Sequence, residues 1–169
     1  FGYPISAVGS HVSAVPNHQT GRITSLHTRG VVAMAGTFGY ELDLSKMTDE
    51  EKKMAGEQIA FFKEHGRLFQ FGDYYRLTSP FENRDYTVWE YAAQDGSEAC
   101  MSVVYTDMYA NAASEIVKWK GLDPKKVYQM QLDGEDAGNF SGAALMHAGI
   151  LLPLPEQNYD AFQIYLKAE

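Results

Sequence analysis

The sequence predicts two fold classes in series, α/β and then all-β, and three observations predict this. Over residues 1–70 strand-like and helix-like runs alternate, which calls for parallel strands joined by right-handed crossovers. That half closes on a long amphipathic run, residues 47–66, carrying its own start and stop signals. From about Gln70 the pattern changes to short β-prone runs separated by turn residues, as in an antiparallel β-sandwich.

Residues 3–8, Tyr-Pro-Ile-Ser-Ala-Val, read as a strand. A polar, irregular loop follows over residues 10–22, punctuated by Pro16 and Gly21. Residues 24–35 read as a helix, with Leu26, Val31, Val32, Met34 and Ala35 as its apolar positions and Gly30 weakening it. Residues 37–44 read as a second strand, since Tyr40-Glu-Leu-Asp-Leu44 alternates with period two. The helix over 47–66 starts at a capping box, Thr48-Asp-Glu-Glu51, in which hydroxyl and carboxylate each cover an orphan backbone donor. Asp49, Glu50 and Glu51 sit at the positive end of its dipole. Ala55, Ile59 and Phe62 space one apolar face, and Gly66 is a fitting stop. Further strands are predicted over 74–77, 86–93, 99–105 and 162–166. Gln94-Asp-Gly-Ser97 is a hairpin turn, and Leu122-Asp-Pro-Lys125 and Gln131-Leu-Asp-Gly-Glu135 are further turns.

Composition narrows the function classes. The 169 residues are 45% hydrophobic and 21% charged, an ordinary globular balance for one domain or two small ones. The chain begins Phe-Gly-Tyr-Pro rather than with Met, and neither a signal peptide nor a membrane span is expected, so truncation is the simplest account of its start. The net charge is −8, and Lys or Arg cluster no further than Lys52-Lys53 and Lys125-Lys126. Nucleic acid and anionic membranes are therefore not expected partners. The single Cys100 fits a reducing, cytoplasmic setting.

The loop over 10–22 concentrates the chemistry: Ser10, His11, Ser13, Asn17, His18, Gln19, Thr20 and Arg22. The spacing of His11 and His18 fits no common zinc pattern, and Cys100 is remote, so no metal site is expected. Ser10-His11 is no nucleophile–base pair, because neighbours on an extended chain point apart. The plain reading is that these groups satisfy backbone donors and acceptors. Asp133, Glu135 and Asp136 lack calcium-loop spacing and read as a solvated turn.

These residues also carry a resemblance. Gly9-Ser-His-Val-Ser-Ala-Val-Pro-Asn-His-Gln-Thr-Gly-Arg22, then Thr28-Arg-Gly30, then Gly36-Thr-Phe-Gly-Tyr-Glu-Leu-Asp-Leu44, resemble the late-barrel signature of bacterial α-galactosidases of glycoside hydrolase family 36. Gly72-Asp-Tyr-Tyr-Arg-Leu77 and Asp136-Ala-Gly-Asn-Phe-Ser-Gly-Ala-Ala-Leu-Met146 agree, so the likeness runs through essentially the whole chain. It implies that residues 1–70 are the last two β/α units of a (β/α)8 TIM barrel and residues 71–169 a C-terminal antiparallel β-sandwich. The loop at Ser10 would then lie on the C-terminal face, where barrel enzymes keep their sites. The resembled enzymes are retaining glycosidases that use two aspartates, one in a W-D motif and one in an S-D-x-x-D motif. Neither motif occurs here, which implies a C-terminal portion whose catalytic pair lies upstream of residue 1. The whole enzyme would release terminal α-linked galactose from raffinose- or melibiose-type oligosaccharides, without cofactor or metal. A homo-oligomer is a candidate state for the full-length protein. Ser10, His11 and Ser13 are the substrate-rim residues expected nearest the sugar, with Arg22 and Arg29 as structural ion-pair partners.

Glu41 and Asp43 are the best carboxylate pair within the chain, since residues two apart on a strand share a face with Cβ atoms roughly 7 Å apart. Retaining hydrolysis needs carboxyls about 5 Å apart, one of them poised as an acid. A hydrogen-bonded structural role is the stronger expectation for this pair. The competing class is a non-catalytic carbohydrate-binding or protein-interaction β-sandwich module.

Overall fold

The structure is a computed structural model that describes residues 3–79, 81–109, 111 and 113–169. It divides into two compact units, Phe1–Phe71 and Gly72–Glu169.

In the first unit, residues 3–8 do not form the predicted strand. Pro4 leads into a 3-10 turn, Ile5–Ala7, and the strand β1 is instead Val12–Ser13, inside the stretch expected to be irregular. Partner availability decides this rather than β-propensity: Val12 is wholly buried, and its N–H donates to the Gly39 carbonyl at 2.7 Å. Helix α1, Leu26–Ala33, is capped by Ser25, whose Oγ accepts from Thr28 N at 3.0 Å. It leads to β2, Tyr40–Glu41, which pairs parallel with β1 in the register Val12↔Tyr40 and Ser13↔Glu41. The predicted 37–44 strand shrinks to these two residues because both flanks leave extended geometry. Phe38 adopts a left-handed φ of 42°, and Asp43 caps a 3-10 turn over Leu44–Lys46.

Helix α2 spans Asp49–Phe71. Both halves of the predicted capping box form: Thr48 N donates to Glu51 Oε2 at 3.0 Å, and Glu51 N to Thr48 Oγ1 at 3.2 Å. The helix does not stop at Gly66. Leu68 and Phe69 beyond it are buried, Phe69 stacking on Phe62 with ring centroids 5.7 Å apart, and that burial outweighs the ~1 kcal/mol cost of a mid-helix glycine. Gly30 has a packing reason. The Gln58 amide lies against it where any Cβ would collide. That amide accepts from Tyr40 Oη at 2.6 Å and donates to the Leu26 carbonyl at 3.2 Å, tying α1, β2 and α2 together.

The second unit is built on a six-stranded antiparallel sheet. Its strands are β3 (Asp73–Arg76), β4 (Tyr86–Ala92), β5 (Glu98–Tyr105), then, after the short β6 (Ile116–Val117), β7 (Val127–Leu132) and β8 (Glu135–Ser141). Helix α3 (Gly142–His147), β9 (Ile150–Leu151) and β10 (Ala161–Ala168) complete it. The order is β3-β4-β5-β10-β7-β8, and β6 and β9 form a separate antiparallel pair. Alternate residues Ala99, Met101 and Val103 of β5, Ile164 and Leu166 of β10, and Tyr128 and Met130 of β7 join one core with Val117, Trp119, Leu122, Leu145 and Leu152. Strands β4 and β5 are buried on both faces, and Cys100, opposite Tyr91, is wholly sequestered, which pushes its thiol pKa up.

Asp133 and Gly134, at φ 49° and 87°, form the two-residue turn between β7 and β8, the geometry a type I′ hairpin requires. Tyr128 Oη accepts from Asp123 N and donates to the Gly96 carbonyl, both at 2.9 Å, pinning two turns together. Gly142 opens α3 against the Asp123 carbonyl, where a Cβ would clash. No helix among the described residues is long and apolar enough to cross a membrane.

Candidate functional site

The two sequence blocks that flank the loop at Ser10 meet in space. Thr37 N donates to the Val8 carbonyl at 2.9 Å, and Gly36 sits so close to Ser10 that a Cβ there would meet Ser10 Cβ at 2.6 Å. Both β1 and β2 point their carboxyl ends the same way, so the residues around Ser13 and Glu41 share one edge of this unit. His11 Nε2 lies 2.9 Å from Glu41 Oε2, with both side chains substantially exposed. A ring N–H toward a carboxylate fixes the imidazole's orientation and leaves Nδ1 as its other polar atom.

Ser13 marks a second cross-link. Its carbonyl accepts from Arg29 Nη1 at 2.6 Å, while Arg29 Nε donates to the Ser25 carbonyl at 3.3 Å. Arg29 thus binds carbonyl oxygens of β1 and the α1 cap, where an ion pair was expected. Burial lowers its pKa, and the charge of Glu51 opposes that shift. The far end of the loop is closed by Asn17, whose Oδ1 accepts from Gln19 N, Thr20 N and Thr20 Oγ1 at 3.0, 3.0 and 3.1 Å. Gly21, at φ 68°, returns the chain so that Asn17 N reaches the Arg22 carbonyl. Asn17 and Thr20 therefore serve the backbone, as the plain reading expected, although the loop is largely exposed rather than buried.

Glu41 and Asp43 do not form a working pair. Glu41 faces His11. Asp43 has left the strand, and its Oδ1 accepts from Ser45 N at 3.0 Å and Ser45 Oγ at 2.6 Å. Those bonds hold the Asp43 carboxyl below its ordinary range, the opposite of what a general acid needs. Among the described residues no group of three or more His, Cys, Asp or Glu could hold a metal ion.

The most perturbed carboxyl, Glu90 in β4, gave no sequence signal. It is wholly buried, on the core face, opposite Met101. Both its oxygens accept from Lys120 N, at 3.0 and 3.3 Å. Burial raises its pKa to about 8, against the Lys120 hydrogen bond and charge. A perturbed carboxyl is a catalytic candidate, but one without solvent access holds a loop in place instead of acting on a substrate.

Comparison with known proteins follows the division into units. The Melibiase family model matches residues 1–72, and the model of the glycosyl hydrolase family 36 C-terminal domain matches residues 86–166. The bifunctional alpha-galactosidase/sucrose kinase AgaSK of Mediterraneibacter gnavus is 49% identical over 163 residues, 96% of this chain and 17% of its own length. Alpha-galactosidase AgaA of Geobacillus stearothermophilus is 47% identical over 166 residues, 98% of this chain and 22% of its own. The crystal structure of AgaA superposes with a TM-score of 0.92 at 47% identity, over 99% of this chain and 23% of that one. Structures of AgaA variants in complex with raffinose and with stachyose match at TM-scores of 0.91 and 0.92. The chain thus spans about a fifth of the length of the curated relatives it matches. With consecutive family models on both units and a near-complete structural match at close to half identity, the chain belongs to glycoside hydrolase family 36.

Proposed function

We propose that these residues are the C-terminal portion of a retaining α-galactosidase that releases terminal α-linked galactose from raffinose- and melibiose-type oligosaccharides. The observation that carries this reading is the pair of consecutive matches, Melibiase and the family 36 C-terminal domain, together with relatives named as alpha-galactosidases. Relatives solved with raffinose and stachyose support the substrate class. The parallel strands β1 and β2, joined through α1, support a reading of the first unit as the end of a (β/α)8 barrel, and the antiparallel sheet supports a trailing sandwich.

On this reading the catalytic carboxyls are contributed by residues outside this chain, since the best internal pair is engaged elsewhere: Glu41 with His11, Asp43 with Ser45. What this chain supplies is position. Ser10, His11 and Ser13 occupy the barrel's rim. The His11 ring, oriented by Glu41, offers a hydrogen-bonding nitrogen to a sugar hydroxyl, and Arg29 fixes the Ser13 backbone beside it. The chemistry needs no cofactor or metal, and the enzyme works in the cytoplasm.

The test is hydrolysis of an aryl α-galactoside by this chain beside the same gene product extended upstream. Activity only in the extended protein is the expected result. Activity in the short chain would overturn the placement of the catalytic pair. In the extended protein His11→Ala should raise KM or lower kcat; unchanged values would remove His11 from the rim.

A further inference from the structure

The second unit carries a cleft that the hydrolase reading does not use. The start of β4, the end of β5, residues 107–109, Asn111, Ala113 and Glu115, and Leu154 and Pro155 enclose about 360 Å³ at one end of the large sheet. Three tyrosines line it, Tyr86, Tyr105 and Tyr109, with the carboxylates Asp85, Asp107 and Glu115 between them.

Two of the phenols are tethered by their oxygens. Tyr109 Oη donates to Asp85 Oδ1 at 2.8 Å and Tyr105 Oη to the Pro153 carbonyl at 2.9 Å, while burial and the nearby Glu115 charge raise the Tyr86 pKa. Tyr86 and Tyr105 lie against each other with centroids 5.7 Å apart. The rings are therefore held in place, which removes an ordering cost from any binding event. The bonds also show where acceptors remain. A carboxylate offers about four lone-pair sites, so Asp85 keeps acceptor capacity after holding Tyr109, and Glu115 adds a second carboxylate to the lining. The volume falls within the roughly 300–1,000 Å³ of small-ligand sites.

The lining selects a class of ligand. Among the described residues it contains no Lys or Arg, so an anion would meet three carboxylates uncompensated. No group of three metal-capable side chains occurs among the described residues, so a chelated cation has no cage. A neutral molecule with apolar C–H faces and many hydroxyl donors meets both the rings and the free carboxylate oxygens. We propose that this cleft binds a neutral oligosaccharide, with Tyr86 and Tyr109 as the apolar platform and Asp85 and Glu115 accepting from sugar hydroxyls. The inference goes beyond galactoside hydrolysis and does not depend on it.

The experiment uses the 169-residue chain, titrated with stachyose, raffinose and the non-galactosidic maltotetraose by saturation-transfer NMR and calorimetry. Millimolar binding of at least one sugar is expected. Tyr109→Ala, at a half-exposed ring, should weaken it about tenfold. Glu115→Gln, which keeps shape and loses an acceptor, should weaken it about threefold. Leu44→Ala, exposed in the first unit, should leave it unchanged. Binding of maltotetraose would support the cleft even where galactoside hydrolysis failed. No sugar binding at about 100 mM, sugar binding indifferent to Tyr109→Ala, or binding of spermidine with no sugar would each overturn the proposal.

Discussion

At the scale of the residue, Glu90 shows how a charged group can serve a core. Its carboxyl titrates near 4.5 in the unfolded chain and at about 8 in the folded one, chiefly because burial disfavours the anion. Between those values the folded chain holds a proton that the unfolded chain has released. Stability is thus full below the unfolded pKa and is lost as pH rises through the folded one. Unfolding free energy measured in urea should fall by about 3 kcal/mol between roughly pH 5 and pH 8.5, and Glu90→Gln should flatten that slope. An equal slope in the variant would assign the effect elsewhere. Gly30 makes the opposite point about side chains. Alanine improves helix propensity by about 1 kcal/mol, yet its Cβ would displace the Gln58 amide from Tyr40 and Leu26. Gly30→Ala should therefore destabilise the chain, by about 2 kcal/mol in the same titration. The sequence marked Gly30 only as a weak spot, because the partner that explains it sits on the next helix. The closure of the loop by Asn17 and Thr20 was legible, being local. The meeting of His11 and Glu41 was not, since nothing in either residue's neighbourhood predicts the β1–β2 register.

At the scale of the element, local chemistry was readable and tertiary burial was not. The Thr48–Glu51 box could be named from four residues, and it forms with both hydrogen bonds in place. Thr48→Ala should cost about 1 kcal/mol, read as a lower urea midpoint with an unchanged denaturant slope. Continuation of α2 past Gly66 depends on where Leu68 and Phe69 are buried, which periodicity within the segment does not reveal. The run at residues 3–8 was misread for the related reason that a β-prone segment without a partner does not become a strand. The hairpin turn at Asp133-Gly134 was visible, but β8 beside it was not. Glu135–Ser141 is mostly exposed, polar and bulged opposite Met130 and Gln131, so its strand character comes from the β7 ladder rather than from its own residues.

At the scale of the whole molecule, the two units differ in how much of their own structure they bury. Among the described residues the first buries Val12, Leu26, Val31, Ala33, Met34, Met47, Ala55, Leu68 and Phe69, and its parallel pair is only two residues long. Parallel pairs are normally parts of larger covered sheets. The second holds a continuous core behind six strands. Amides of β1 and β2 should therefore exchange with solvent about a hundredfold faster than those of β5 and β10, measured by hydrogen exchange on the intact chain. Equal protection would mean that the short parallel pair opens only with the whole fold. The change from α/β to antiparallel β along the sequence was legible from period and turn spacing alone, since both are carried by each segment separately.

Cys100 gives this molecule a built-in reporter. Its sulfur is fully enclosed within β5, and burial disfavours the thiolate that would react. A maleimide dye should ignore the native chain, so a cysteine introduced at an exposed position becomes a unique labelling point without removal of the natural one. The rate at which a thiol reagent finally reaches Cys100 then clocks the opening of the central strands, with no probe added to the sheet.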